Sequence, residues 1–366
     1  MASERSRILL CLIVCCVGVT TRSLEDYGFD SYDYESLYQR SITQRQSQPE
    51  TLNIAMPEVR PTKHDSYFCT SLKIDNPQTY IVGYQPHAEM HTAHHMLLFG
   101  CEYPPSQDKF WNCGDRGVGV CGRNSREKIM YAWGRNAKVL ELPKDVGFKV
   151  GDKDSRYLVL QVHYGHVDKF LNDKSIRDHS GVTLEVKHKR PDHLAAILLL
   201  ATGGEIPAQK KAFSLDMGCQ YTGKTVIHPF AFRVHAHSLG SVITGYRIRN
   251  KKWELIGKGD PQRPQAFYAI DKNMDIKSGD ILAGQCTYNT MKKQKTTYIG
   301  ATMKDEMCNF YMMYYYDSST PGSAAPGDYC REHFVSPADY PADSIVLLPG
   351  SGKKMEMKRD EGTESL

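Results

Sequence analysis

Apolar and polar positions alternate in short runs along this chain, and no stretch sustains a helical period over three turns. The runs Tyr80–Gly83, Tyr157–Tyr164, Val182–Val186, Phe230–His235, Val242–Ile248 and Phe310–Tyr316 are rich in β-branched and aromatic residues. Gly, Pro, Asp and Asn punctuate them, which is the signature of short strands joined by turns. Leu194 to Ala201 is continuously apolar but only of core-strand length, too short to cross a bilayer. Many short strands without helices predict an all-β chain, built as two tandem jelly-roll-like antiparallel β-sandwich domains. Length favours two domains as well. The polar stretch Lys189-Arg190-Pro191-Asp192 is the expected boundary, separating a first domain over 56–190 from a second over 191–340. Residues 21–55 are rich in Tyr, Ser, Gln and acids and predict a flexible N-terminal arm, and 341–366 predicts a flexible tail.

Residues 1–20 read as a secretory signal peptide. Arg5 and Arg7 precede an apolar run from Ile8 to Val19 that is shorter than a membrane span. Three of the 11 cysteines fall inside that signal, leaving eight, an even number that suits four disulfides in an oxidising compartment. Spacing alone allows 105 connectivities for eight cysteines. They divide into an early set, Cys69, Cys101, Cys113 and Cys121, and a late set, Cys219, Cys286, Cys308 and Cys330, as two separately stapled domains would require. A net charge of +4 with dispersed basic residues gives no basic stripe and no case for nucleic acid. No Asn-x-Ser/Thr sequon occurs, so N-glycosylation is not expected. The expected location is the secretory pathway, either a secretory granule lumen or the extracellular space, with no stable membrane span.

Histidine placement then changes the picture. In Arg233-Val-His-Ala-His237, strand alternation puts Arg233, His235 and His237 on one face. Across Met307-Cys-Asn-Phe-Tyr311 the same rule groups Met307, Asn309 and Tyr311. If the two strands are neighbours, two imidazoles and a thioether meet on one surface, a donor set suited to copper. Arg233, Asn309 and Tyr311 would stand beside it as a carboxylate-reading set, with arginine offering a planar fork. His94 and His95 adjoin, so a regular strand would send them to opposite faces, and joint ligation requires a bulge, twist or loop. His163 could add a third nitrogen. Three imidazoles suit zinc equally well, which leaves zinc as the competitor at that point. His87, His91, His166 and His179 read as loop or surface histidines. Gly117-Val-Gly-Val-Cys-Gly122 matches a dinucleotide fingerprint in letters only, because it lies between cysteines with no strand before it and no helix after it.

Several longer segments carry a resemblance. They are His94-His95-Met-Leu-Leu-Phe-Gly-Cys101, Leu160-Gln-Val-His163-Tyr-Gly, Phe232-Arg-Val-His-Ala-His237, Pro264-Gln-Ala-Phe-Tyr, Gly279-Asp-Ile-Leu-Ala and Asp305-Glu-Met-Cys-Asn309. From about Met56 to Cys330 the chain resembles the type II copper, ascorbate-dependent monooxygenases, and among them the peptidylglycine α-hydroxylating enzymes. The resemblance implies two copper ions, with His94, His95 and His163 holding an electron-storing copper. It implies that His235, His237 and Met307 hold a dioxygen-activating copper. Arg233, Asn309 and Tyr311 would read the substrate carboxylate, so that His235, His237, Met307 and Tyr311 form the catalytic group. Tyr67 and Gln161 match positions near the electron-storing site. Disulfides are implied at Cys69–Cys113, Cys101–Cys121, Cys219–Cys330 and Cys286–Cys308. A further family disulfide stapling the arm finds no cysteines here.

The implied reaction hydroxylates the α-carbon of the C-terminal glycine of glycine-extended prohormone or neuropeptide substrates, the first step of peptide amidation. Ascorbate is the reductant, and dioxygen is divided between product and water. The chain runs about 36 residues past Cys330, so a separate lyase is expected to act on the product. Two alternatives stand beside this. A dopamine β-type amine hydroxylase would share the metal ligands but takes a substrate without a carboxylate. A non-catalytic secreted copper-binding protein would leave the carboxylate set unexplained.

Overall fold

The computed structural model describes residues 50–114, 118–134, 137, 139–300, 304–319, 329–330 and 335–349. The expected signal peptide, the expected arm up to residue 49 and the expected tail from residue 350 lie outside the described residues.

Alternation along the chain is realised as pleated sheets, almost entirely antiparallel. A nine-stranded sheet runs in the order Glu50–Ala55, Gly181–Lys187, Thr79–His87, Val146–Val150, His193–Ala201, Asn309–Asp317, His228–His235 and Tyr268–Ala269. The short Tyr329–Cys330 strand also pairs with His193–Ala201. Against one half of this sheet lies a five-stranded sheet ordered Trp111–Asn112, Ser66–Lys73, Tyr157–Tyr164, His95–Cys101 and Lys128–Gly134. Against the other half lies a four-stranded sheet ordered Phe213–Gln220, Ile281–Tyr288, Gly240–Arg249 and Lys252–Gly259. All six runs singled out from the sequence fall inside strands.

Each sandwich buries the inward set of its alternating residues. In the first, Leu158, Leu160, Val162 and Tyr164 of one sheet meet Ile81, Val182, Leu184 and Val186 of the other. In the second, Met217, Ile243, Leu282 and Tyr288 meet Leu198, Val234, Phe310 and Met312. Odd-numbered residues on the Tyr157–Tyr164 strand, Val159, Gln161 and His163, therefore face away from the first core. They join an outer layer built on Cys69, Phe99, Cys101, Trp111 and Cys113. Four disulfides tie the chain at Cys69–Cys113, Cys101–Cys121, Cys219–Cys330 and Cys286–Cys308, the pairs the resemblance implies.

Two segments differ from the sequence expectation, and the expected boundary carries a pairing. Glu50–Ala55, placed in the flexible arm, is an edge strand paired with Gly181–Lys187, and Ile54 is buried. Its polar composition hides a period of two, with Leu52 and Ile54 turned inward. Ala342–Ile345, placed in the tail, forms a helical turn whose buried Ser344 hydroxyl donates to Gln285 Oε1 at 2.7 Å. At the expected boundary, His193 and Leu194 pair in parallel with Val146 and Gly147, so one sheet runs through both halves. The apolar run of the His193–Ala201 strand needed a partner on each side, and the first half supplies one.

Candidate metal centres

The first cluster forms where the Tyr157–Tyr164 and His95–Cys101 strands pair, with His95 directly opposite His163. His94 lies just before its strand, in a turn where its backbone N–H donates to the His163 carbonyl at 2.8 Å. That turn supplies the departure from regular alternation that the adjacent pair required. His94 Nδ1 lies 3.2 Å from His95 Nδ1, and His163 Nδ1 lies 3.4 Å from His95 Nδ1. Asp65 Oδ1 stands 3.3 Å from His163 Nε2. A carboxylate accepts, so the proton of neutral His163 sits on Nε2 and the Nδ1 lone pair turns inward. Tyr67 stacks on the His163 ring, centroids 4.2 Å apart, and Gln161 Nε2 reaches Cys113 Sγ at 3.6 Å. Burial, joined by the neighbouring imidazoles, drives the His95 pKa well below its ordinary value. Burial also lowers His163, against an opposing pull from Asp65. Both rings are therefore neutral near pH 7, the state in which imidazole ligates a metal.

The second cluster rests on the strand pairing that the face argument needed. His228–His235 and Asn309–Asp317 are antiparallel neighbours, with Arg233 opposite Tyr311 and His235 opposite Asn309. His237 lies two residues past the strand end, and Met307 two residues before its strand begins. Gln265 fixes the tautomer of His235. Its Nε2 donates to the carbonyls of Ala236 at 3.1 Å and Pro261 at 2.8 Å. The amide oxygen must then accept from His235 Nδ1, at 2.5 Å. His237 Nδ1 donates to the Asp305 carbonyl at 2.9 Å. Both Nε2 atoms are thereby left as lone-pair donors.

His235 Nε2 faces Met307 Sδ at 3.2 Å. Burial, reinforced by the Arg233 charge, holds the His235 pKa at about 3, so no proton lies between nitrogen and sulfur at neutral pH. Two lone pairs that close repel each other unless a cation joins them, and a thioether beside imidazole selects a soft one. The residues present fit copper, and they fit it better here than zinc.

Arg233 is buried at 3% exposure, and among the described residues no carboxylate pairs with it. Its Nε donates to the Gln265 carbonyl at 2.8 Å, and its guanidinium lies over the Tyr311 ring at 4.9 Å. Burial pulls its pKa below the ordinary value while Tyr311 pulls the other way. Asn309 Nδ2 donates to the Tyr311 hydroxyl at 3.3 Å and approaches Met307 Sδ at 3.7 Å. Arginine, asparagine, tyrosine and thioether thus share one surface. Glu306, 1% exposed, accepts from the backbone N–H groups of His237 at 2.8 Å, Leu239 at 2.6 Å and Met307 at 3.3 Å. It locks the Met307 turn to the His237 turn.

Sequence reasoning did not assign roles to Asp65, Gln265, Asp305 or Glu306. The last three sit inside motifs quoted above, yet what they contribute is an orientation, which only the folded loops reveal.

The chain belongs to the copper type II ascorbate-dependent monooxygenase family. The N-terminal domain of that family matches residues 52–171 and its C-terminal domain residues 193–337. Copper, ascorbate and dioxygen are the cofactors, reductant and co-substrate this family uses. Within it, the chain is 46% identical over 283 residues to peptidyl-glycine alpha-amidating monooxygenase B of Xenopus laevis, covering 76% of this chain and 31% of that protein. It is 42% identical over 282 residues to peptidyl-glycine alpha-amidating monooxygenase of Mus musculus, covering 76% and 28%. Identity to dopamine beta-hydroxylase of Homo sapiens is 27% over 290 residues, covering 72% and 46%. The chain spans about a third of the length of the amidating relatives it matches. Among the described residues no helix is long and apolar enough to cross a membrane.

Proposed function

We propose that this chain hydroxylates the α-carbon of the C-terminal glycine in glycine-extended peptides. The observation that carries the reading is Arg233, a buried cation without an anionic partner among the described residues, on the same surface as Met307 and His235. An unpaired buried charge is costly, and a substrate carboxylate would relieve it through a bidentate pair. An amine such as dopamine offers no such group. The higher identity to amidating relatives than to the amine hydroxylase supports the same choice.

His94, His95 and His163 would hold an electron-storing copper in a first domain over 56–190. His235, His237 and Met307 would hold a second copper in a domain over 191–340. Reduced by ascorbate, the metals would supply electrons and dioxygen activation. The chain's own residues do the positioning. Arg233 grips the carboxylate, with Asn309 and Tyr311 offering polar hydrogens beside it, so the terminal glycine is held at one place on the thioether side. Fixing a reacting carbon in this way can supply several kcal/mol of the barrier reduction. The tautomer locks at Gln265 and Asp305 keep both ligating nitrogens aimed without rearrangement. The hydroxyglycine product would pass to a separate lyase, in a secretory granule lumen or outside the cell.

Copper-loaded protein given ascorbate and a dansylated glycine-extended peptide tests this, with product mass and oxygen uptake followed together. Gain of one oxygen atom, dependent on copper and reductant, is the expected result. Turnover of a phenethylamine but not of the peptide would overturn it.

A further inference from the structure

Besides the two clusters above, a further group of metal-binding side chains comes together on the surface among the described residues. His64, His166 and Asp168 each present one ligand atom, and these atoms lie within 4.8 Å of one another. We propose that they form a third metal site, which captures Cu(II) at the protein surface next to the His94, His95 and His163 cluster.

The fold explains why they meet. Ser66–Lys73 and Tyr157–Tyr164 are antiparallel neighbours, with Ser66 opposite Tyr164. His64 therefore enters at the end of the pair where His166 leaves. Asp168 opens the short helical turn Asp168–Asn172 directly afterwards. His64 Nε2 lies 3.8 Å from Asp168 Oδ1, and the two imidazole rings stand edge to face, centroids 6.0 Å apart. The Val167 N–H donates to His64 Nδ1 at 3.3 Å, a long contact that a metal taken through Nε2 would break by moving the ring proton to Nδ1. Two imidazoles with one carboxylate suit borderline divalent ions, Cu(II) among them, and lack the thioether that favours Cu(I). All three side chains are exposed, which leaves room for water in the remaining coordination positions.

Position gives the site its purpose. Asp65 follows His64 immediately, and its carboxylate is the group beside His163 Nε2. On the other segment only Tyr164 and Gly165 separate His166 from His163. A side chain at Gly165 would stand 3.5 Å from His94 Cβ, so the inner imidazoles begin where the outer site ends. The inner cluster is half-buried to buried, and a strongly hydrated ion reaches it more readily after exchanging part of its water for exposed ligands.

The test uses the full apo-protein titrated with copper sulfate, then gel-filtered and assayed for copper per chain, with the Cu(II) electron paramagnetic resonance spectrum recorded. Wild type should retain one equivalent more than the His64→Asn/His166→Asn double variant, with a separate signal of mixed nitrogen and oxygen ligation lost in the variant. Asp168→Asn should weaken that signal alone. The one-equivalent difference is read whatever number the inner sites take. Recovery of turnover at limiting copper should be several-fold slower in the double variant, while the fully loaded rate stays unchanged. Equal copper content in the two proteins would overturn the site, and equal loading rates would overturn its capture role.

Discussion

The two imidazole clusters use the same residue type at strand ends but turn it in opposite senses. At His163 the inward nitrogen is Nδ1, because Asp65 takes the proton on Nε2. At His235 and His237 it is Nε2, because Gln265 and the Asp305 carbonyl take Nδ1. The first cluster is all nitrogen and has an aromatic ring stacked upon it. The second includes sulfur and has a buried guanidinium and an amide beside it. The contrast teaches that orienting partners, rather than the histidines themselves, assign each site its geometry, and that among the described residues a buried cation stands beside the second cluster and not the first.

The largest effect should come from removing what is unique to the second cluster. Met307→Ile keeps apolar bulk and deletes the sulfur, and hydroxylation should be lost while the thermal unfolding midpoint moves little. Retained turnover in the copper-loaded variant would remove Met307 from the ligand set. Next, Arg233→Ala should weaken free-acid peptides by about 2 kcal/mol or more, at least roughly 30-fold, as removal of one partner of a buried charge pair does. Inhibition constants measured for free-acid and amidated peptides should converge; equal losses for both would count against the clamp.

Smaller effects sharpen the contrast between the orienting groups. Gln265→Leu should lower copper affinity at the second cluster alone, and Asp65→Asn at the first alone, each by roughly 10- to 100-fold. Chelator competition resolves the two, and a loss at both sites from either change would contradict independent orientation. A separate effect is on the pH dependence of stability. His95, His163 and His235 all have folded pKa values below the ordinary 6.5. Below about pH 6.5 the unfolded chain then binds more protons than the folded one, so stability present above that pH is lost as pH falls. Each such group contributes up to about 1.4 kcal/mol per pH unit, roughly 2 °C in melting temperature for a chain of this size. Copper should protect by occupying the same nitrogens. A flat apo-protein melting profile between about pH 6.5 and 5 would contradict the lowered values.

Much of this arrangement was legible before folding because a strand has a period of two. That period alone grouped Arg233 with His235 and Met307 with Asn309 and Tyr311, and strand pairing then joined the groups. It could not reach His94, whose turn breaks the alternation; His237, which it grouped with Arg233 and His235, and Met307 both lie just outside their strands. Asp65 and Gln265 act through loops, where side-chain direction follows from tertiary packing. Glu306 is invisible for a related reason: an acidic residue beside a turn reads as solvated until its carboxylate is found facing three backbone amides. The edge strand Glu50–Ala55 was missed because composition outweighed a pattern carried by two residues, Leu52 and Ile54.

The parallel seam between Val146–Gly147 and His193–Leu194 has a practical consequence for anyone dividing the molecule. Cutting at 189–192 would not release two finished sandwiches. It would bare the flank of Val146–Val150 on one fragment and that of the apolar His193–Ala201 strand on the other. Open apolar edges of this kind recruit foreign strands. Separately expressed halves should therefore precipitate or re-associate, and a mixture of the two should regain solubility as a split protein does.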